Sequence, residues 1–115
     1  MDTLNVHKRR KTIQVKSASI INDFIVFRTS IKKFEVDPDQ VIGIDLERVL
    51  SLVDEIGLFV EADNLYFLTD GYIGFHDVAD VLQFSKKFGE NWYEKVDAGE
   101  FFKWRRIYNE AQPET

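Results

Sequence analysis

The chain of 115 residues contains no cysteine and only two histidines. Without cysteine there is no disulfide framework, no thiolate metal site and no cysteine nucleophile, so folding must rest on packing alone. The histidines are His7, close to the N-terminus, and His76. Triad chemistry needs a nucleophile, a base and an orienting group, and no serine stands in a Gly-x-Ser-x-Gly elbow. His76 beside Asp77, at an expected strand-to-helix junction, reads as a capping or packing residue rather than a general base. Long apolar runs are missing as well. The longest, around 20–27 and 65–68, fall short of a bilayer span and of a signal-peptide core, which predicts a cytoplasmic protein with no membrane association.

Other cofactor signatures fail in detail. Asp37 and Asp39 open like a calcium loop, but Val41, Ile42 and Arg48 occupy the positions where such a loop needs a ligand, a glycine and a glutamate. Asp63, Asp70 and Asp77 fall at turns or caps, where aspartate usually serves the turn itself. Gly71 and Gly74 have no lysine following them, so neither a phosphate loop nor a dinucleotide fingerprint is present. The expectation is a protein without metal, cofactor or catalytic residues.

What the chain does have is an uneven distribution of charge. Residues 1–33 hold eight Lys and Arg against Asp2 and Asp23, a balance of +6. Residues 34–82 hold twelve carboxylates against Arg48 alone, a balance of −11. A surface that acidic repels phosphate backbones and steers basic macromolecules toward itself, although carboxylates spread over solvated faces for solubility would give the same count. The run from His7 to Lys11 is the one feature suited to nucleic acid, and the acidic middle argues against a broad nucleic-acid footprint.

At this length, with 44% apolar and 14% aromatic residues, the chain suits one domain with a single core. The expected organisation is a domain over 1–115 with a basic arm at 1–10 and a frayed tail at 110–115. A monomer or weak dimer, folding without metal, follows from that composition. Alternation from Thr12, a turn at Asn22 and Asp23, and the β-branched and aromatic run 24–31 predict a hairpin. After the break at Pro38, Leu46, Val49, Leu50 and Val53 recur at helical spacing. Asp45 then stands as N-cap and Gly57 as terminator of a helix near 46–55, though Val41, Ile42 and Ile44 suit a strand equally.

Residues 58–61, a turn at 62–64 in which Asn64 can adopt positive φ, and residues 65–69 predict strand, turn, strand. Asp70 and Gly71 are expected to lead into a third strand over 72–75, completing a meander. Asp77 is expected to cap a helix that ends at Gly89, with Lys86 and Lys87 in its last turn. Cap-like spacings at Asn91 and Asp97 suggest further helices, the last carrying Phe101, Trp104, Arg105 and Tyr108 on one face. The fold class expected is α+β: an antiparallel sheet of about five strands, with a capped helix and a C-terminal aromatic-rich helix packed on it. Six large rings between Trp92 and Tyr108 either roof the sheet or leave Trp104 and its neighbours as interface anchors.

The stretch Glu61 to Phe75 (EADNLYFLTDGYIGF), a capped helix after it, and the segment Glu100 to Arg106 (EFFKWRR) together resemble the small bacterial immunity proteins encoded beside contact-dependent growth-inhibition toxins. The resemblance covers about the C-terminal two thirds of the chain. It implies a cytosolic protein without enzymatic activity that binds a delivered toxin domain and blocks it. Many such toxins are nucleases, whose basic clefts would complement the acidic middle. Glu61, Asp63, Asp70 and Trp104 are the candidate partner-binding residues. The alternative is a small α+β ligand-binding, nucleic-acid-binding or regulatory domain with a pocket between sheet and helices.

Overall fold

The computed structural model describes residues 11–49 and 54–107. The expected arm at 1–10 and tail at 110–115 lie outside these. The fold is α+β, with a five-stranded sheet in the order β1-β7-β6-β5-β8 and a three-stranded sheet in the order β2-β3-β4. The strands are β1 (Thr12–Gln14), β2 (Ser17–Ile21), β3 (Phe24–Arg28), β4 (Lys33–Val36), β5 (Gly43–Val49), β6 (Glu55–Glu61), β7 (Leu65–Thr69) and β8 (Phe102–Arg105). Three short helices, α1 (Phe75–Val81), α2 (Phe84–Phe88) and α3 (Trp92–Asp97), separate β7 from β8.

The expected first hairpin is β2–β3, turning at Asn22 and Asp23 with φ of 52° and 69°. Asn and Asp tolerate that left-handed region better than other side chains, which is why this turn is readable in sequence. The strand expected to start at Thr12 divides, however. β1 runs parallel to β7 with Ile13 opposite Tyr66, and the Val15 amide donates to the Phe67 carbonyl at 2.9 Å. One residue later the Lys16 amide donates to the Arg28 carbonyl at 2.7 Å, so the chain crosses between sheets at that point.

No helix forms over 46–49 or at residues 54 and 55; residues 50–53 lie outside the described part. β5 pairs along its whole length with β6, Ile44 facing Val60 and Leu46 facing Leu58, all four buried. Asp45 is therefore a strand residue and not an N-cap, and Gly57 lies inside β6 and not beyond a helix. A side chain at Gly57 would collide with Val49 and crowd Phe67. Burying a period-2 face against a core outweighs a few residues at helical spacing, because burial of each large apolar side chain contributes about 1.5–3 kcal/mol whereas helix propensities differ by less than about 1 kcal/mol per residue.

The meander is real but displaced by one strand: β5, β6 and β7 are successive antiparallel neighbours. The turn at 62–64 is present. Asn64 does not adopt positive φ there, and instead the Asp63 carboxylate accepts from the Asn64 amide at 2.9 Å. Residues 72–75 add no strand. The chain turns through Gly74 at φ 98°, and any Cβ there would strike the Ala18 backbone, so glycine is required where the chain passes against β2. Helix α1 thus starts at Phe75 with Gly74 as its N-cap, and Asp77 lies in the first turn rather than at the cap. Gln83 at φ 61° splits the expected long helix into α1 and α2, and Gly89 ends α2 after Lys86 and Lys87 as expected.

Asn91 precedes α3 as expected, without a side-chain capping bond. This last helix, bearing Trp92 and Tyr93, is aromatic-rich. Residues 102–105, by contrast, form a strand where a helix was expected. Phe102 and Trp104 face inward opposite Leu46 and Ile44, while Lys103 and Arg105 face out. Aromatic and basic residues alternate there with period 2, and β5 offers an open edge that this alternation satisfies.

The core joins both sheets and the helices. Phe27 of β3 stacks on Tyr66 of β7 with ring centroids 4.7 Å apart, and Ile44, Leu46, Leu58 and Leu68 meet Phe75, Val78, Phe84 and Val96 in the same buried cluster. That packing sets where the two sheets part at the surface.

Candidate functional site

Where β3 and β4 diverge from the end of β6, a cleft of about 610 Å³ opens. Its described walls carry Glu35 from β4, Asp37 and Asp39 from the turn after it, and Asp63 from the β6–β7 turn, with Phe24, Ile42 and Ala62 supplying apolar surface. No Lys or Arg is among the described residues lining it. The local sequence makes this geometry. Asp37 precedes Pro38, and its carboxylate accepts from the Asp39 amide at 2.9 Å, folding Pro38–Gln40 into a single 3-10 turn that presents Asp39 outward. Glu35 alternates with the buried Val36 and so faces solvent.

Two other members of the acidic middle, Asp45 and Asp54, are neutralised. Asp45 receives both terminal nitrogens of Arg105, at 3.0 and 3.3 Å, and this hydrogen bonding holds the guanidinium above its ordinary pKa. Asp54 pairs with Arg48 at 2.8 Å. Among the described residues no cation pairs with Glu35, Asp39 or Asp63. Carboxylates without a described cation partner, Glu35, Asp39 and Asp63, therefore meet at this one cleft.

The four residues singled out from sequence do not form one site. Asp63 lines the cleft and is exposed. Glu61, two residues earlier, ends β6, and its carboxylate raises the pKa of Arg105 from the outer face of the large sheet. Asp70 stands at the far end of the five-residue β7 and faces inward, accepting from the Ile56 amide at 3.0 Å and from the Tyr93 hydroxyl at 2.6 Å. Trp104 is half-buried on β8, with Lys87 Nζ 4.7 Å and Arg106 Cζ 5.5 Å from its ring centre. Lys87 donates to the Leu82 carbonyl at 2.7 Å, and burial, with Arg106 and Lys86 nearby, lowers its pKa.

Sequence reasoning missed Glu35, Asp39, Phe24 and Ile42 as neighbours of Asp63. The available signal was three carboxylates in five residues around a proline, which a calcium-loop template discards but a charge-density reading keeps. His76 is exposed on α1 and lies among aromatic rings, its centre 5.1 Å from that of Tyr93 and 5.2 Å from that of Phe75. Among the described residues no group of three or more His, Cys, Asp or Glu is arranged to hold a metal ion. No described helix is long and apolar enough to cross a membrane.

Comparison with protein-family models, with curated proteins and with solved structures returns no match.

Proposed function

We propose that the protein is a non-enzymatic immunity protein that acts in the cytoplasm, as a monomer or weak dimer, by binding and neutralising a basic toxin domain. The carrying observation is the cleft in which Glu35, Asp37, Asp39 and Asp63 surround Phe24 and Ile42 with no described cation in the lining. Lys and Arg side chains combine an aliphatic stem with a charged head. A cleft with an apolar wall, Phe24 being 40% exposed, and a carboxylate rim accepts both parts at once. A nuclease domain exposes such side chains in its substrate groove, so occupying them also denies the groove to nucleic acid. The resemblance of residues 61–75 and 100–106 to immunity proteins points the same way.

Uncompensated charge on a concave surface acts on association, raising on-rates by about 10- to 1000-fold. The test is a kinetic binding measurement against the toxin domain encoded next to this gene. The triple variant E35K/D39K/D63K is expected to slow association at least about tenfold, and the wild-type rate is expected to fall as salt rises. Thermal melts establish that the variant is folded. An unchanged on-rate in the triple variant, or no toxin-bearing reading frame beside the gene, overturns the proposal.

A further inference from the structure

A second cleft, of about 580 Å³, has the opposite character. Lys11, Lys16 and Lys32 line it, the remaining polar lining residues are the uncharged Thr, Ser, Gln and Asn, and no carboxylate is among its described walls. It shares two partitions with the acidic cleft: on β4, Phe34 faces this side and Glu35 the other, and in the β6–β7 turn, Asn64 lines this side and Asp63 the other. The acidic middle therefore contributes no carboxylate to this groove. The sequence-level objection to a nucleic-acid footprint applied to the chain averaged along its length, and the fold sorts the two signs into separate clefts.

The rim is held by a rigid turn. The Thr29 amide and hydroxyl both donate to the Lys32 carbonyl, at 2.9 and 3.1 Å, while the Thr29 hydroxyl oxygen accepts from the Ile31 and Lys32 amides at 3.2 Å each. This turn holds Ile31 at 86% exposure beside the groove. Inside, the Phe34 ring offers a flat apolar surface with Lys32 Nζ 4.9 Å from its centre. In sequence, Lys11 is the last residue of the basic run Lys8 to Lys11.

We propose that this groove binds single-stranded nucleic acid, with phosphates on Lys11, Lys16 and Lys32 and a base against Phe34 and Ile31. Flat apolar surface beside cations, with uncharged hydrogen-bonding groups and no carboxylate, matches a chain that alternates bases with phosphates. A lipid bilayer presents its charge as a plane and would touch the rim at Ile31 and Lys32 while leaving the interior of the groove unused. The proposal concerns a different cleft from the basic-partner reading and stands or falls separately.

The experiment is fluorescence anisotropy of a labelled oligothymidylate of about 15 nucleotides, within the range of site sizes small single-strand-binding domains cover. Expected is binding whose log K falls with log salt, about 0.7 in slope for each phosphate neutralised. K16E/K32E is expected to weaken it at least about tenfold and to flatten the slope by roughly 1.4, the share of two contacts. I31S, a change at a fully exposed position, is expected to weaken it several-fold with the slope unchanged. Thermal melts check that both variants are folded, and the on-rate for the toxin domain should be unaffected in I31S. Failure to bind at low salt, or binding that K16E/K32E leaves intact, overturns the proposal. So does co-sedimentation with phosphatidylglycerol-containing vesicles without any anisotropy change on the oligonucleotide, which would assign the lysines to a membrane surface instead.

Discussion

Asp63 and Asp70 stand at the two ends of β7, and each accepts from a tyrosine hydroxyl: Tyr66 at 2.8 Å for Asp63, Tyr93 at 2.6 Å for Asp70. Nothing in their local sequence separates them, since each follows a strand in a turn. The difference comes from what lies above. Nothing described closes over the 62–64 turn, so the Asp63 carboxyl group lies in solvent at the mouth of the acidic cleft and bonds only within its own hairpin. Over Asp70 sits α3, and the same carboxylate there joins the Ile56 amide on β6 to Tyr93 on the helix. A turn aspartate becomes a recognition group or a structural bolt according to the element that packs on it.

Removing each carboxylate in turn measures the two roles directly. Asp70→Ala strands the amide of the buried Ile56 and removes the acceptor of the half-buried Tyr93 hydroxyl, and is expected to cost about 2–3 kcal/mol, the range for hydrogen bonds to a charged group. Asp63→Ala frees the Asn64 amide at an exposed turn and leaves the hydroxyl of the buried Tyr66 only its contact with the Asn64 side chain at 3.4 Å, and is expected to cost about 1–2 kcal/mol. Denaturant midpoints for the two variants settle the matter. Equal losses would mean that joining β6 to α3 adds nothing beyond a bond within one hairpin.

The tyrosines sharpen the contrast through pH. Burial is the first cause that pushes Tyr66 up to about 12, whereas the hydrogen bond to Asp70 is the first cause that pushes Tyr93 up to about 12. Both hold their protons more tightly in the folded state than at the ordinary value near 10. Their contribution to stability is therefore fully present below pH 10, declines as pH rises from about 10 to about 12, and is gone above that. Melts across this window should show a falling midpoint, and a flat or rising one would refute the assignment. Asp70→Asn should return Tyr93 toward its ordinary range, while Asp63→Asn should leave Tyr66 largely where it is. Near-ultraviolet titration of tyrosinate reads both.

How much of this was legible follows from which contacts are local. The turn at Asn22 and Asp23, the strands at 58–61 and 65–69, and the stop at Gly89 are set by residues adjacent in sequence, and they were readable. The strand character of 43–49 and 102–105 depends on the β5–β6 and β5–β8 ladders, whose partners Leu46 and Phe102 are far apart in the chain. Helical spacing of a few apolar residues could not reveal that. The site suffered in the same way. The sign of its charge could be counted along the chain, but the meeting of Glu35 and Asp39 with Asp63 depends on how β4 docks against the β6–β7 turn. Asp70 was grouped with Asp63 because the turn after β7 reads as a second hairpin tip, and its bonds to Ile56 and to Tyr93 of α3 make it a half-buried joint.

Asp77 is the third aspartate of this kind and gives the smallest effect. Read as an N-cap, its carboxylate would accept from an otherwise unpaired amide, and Asp77→Ala would cost about 1 kcal/mol. In the fold, Gly74 occupies the cap without a side-chain bond, and Asp77 is exposed within the first turn of a seven-residue helix. What remains is its attraction to the positive end of the helix dipole, about 0.3–1 kcal/mol at most for an exposed charge and less once salt screens it. Asp77→Ala is therefore expected to lower the unfolding free energy by only about a few tenths of a kcal/mol, with the loss shrinking as salt is added, whereas a capping hydrogen bond would survive salt. A loss near 1 kcal/mol that is indifferent to salt would move the helix start to Asp77 and return the segment before it to the strand its sequence suggests.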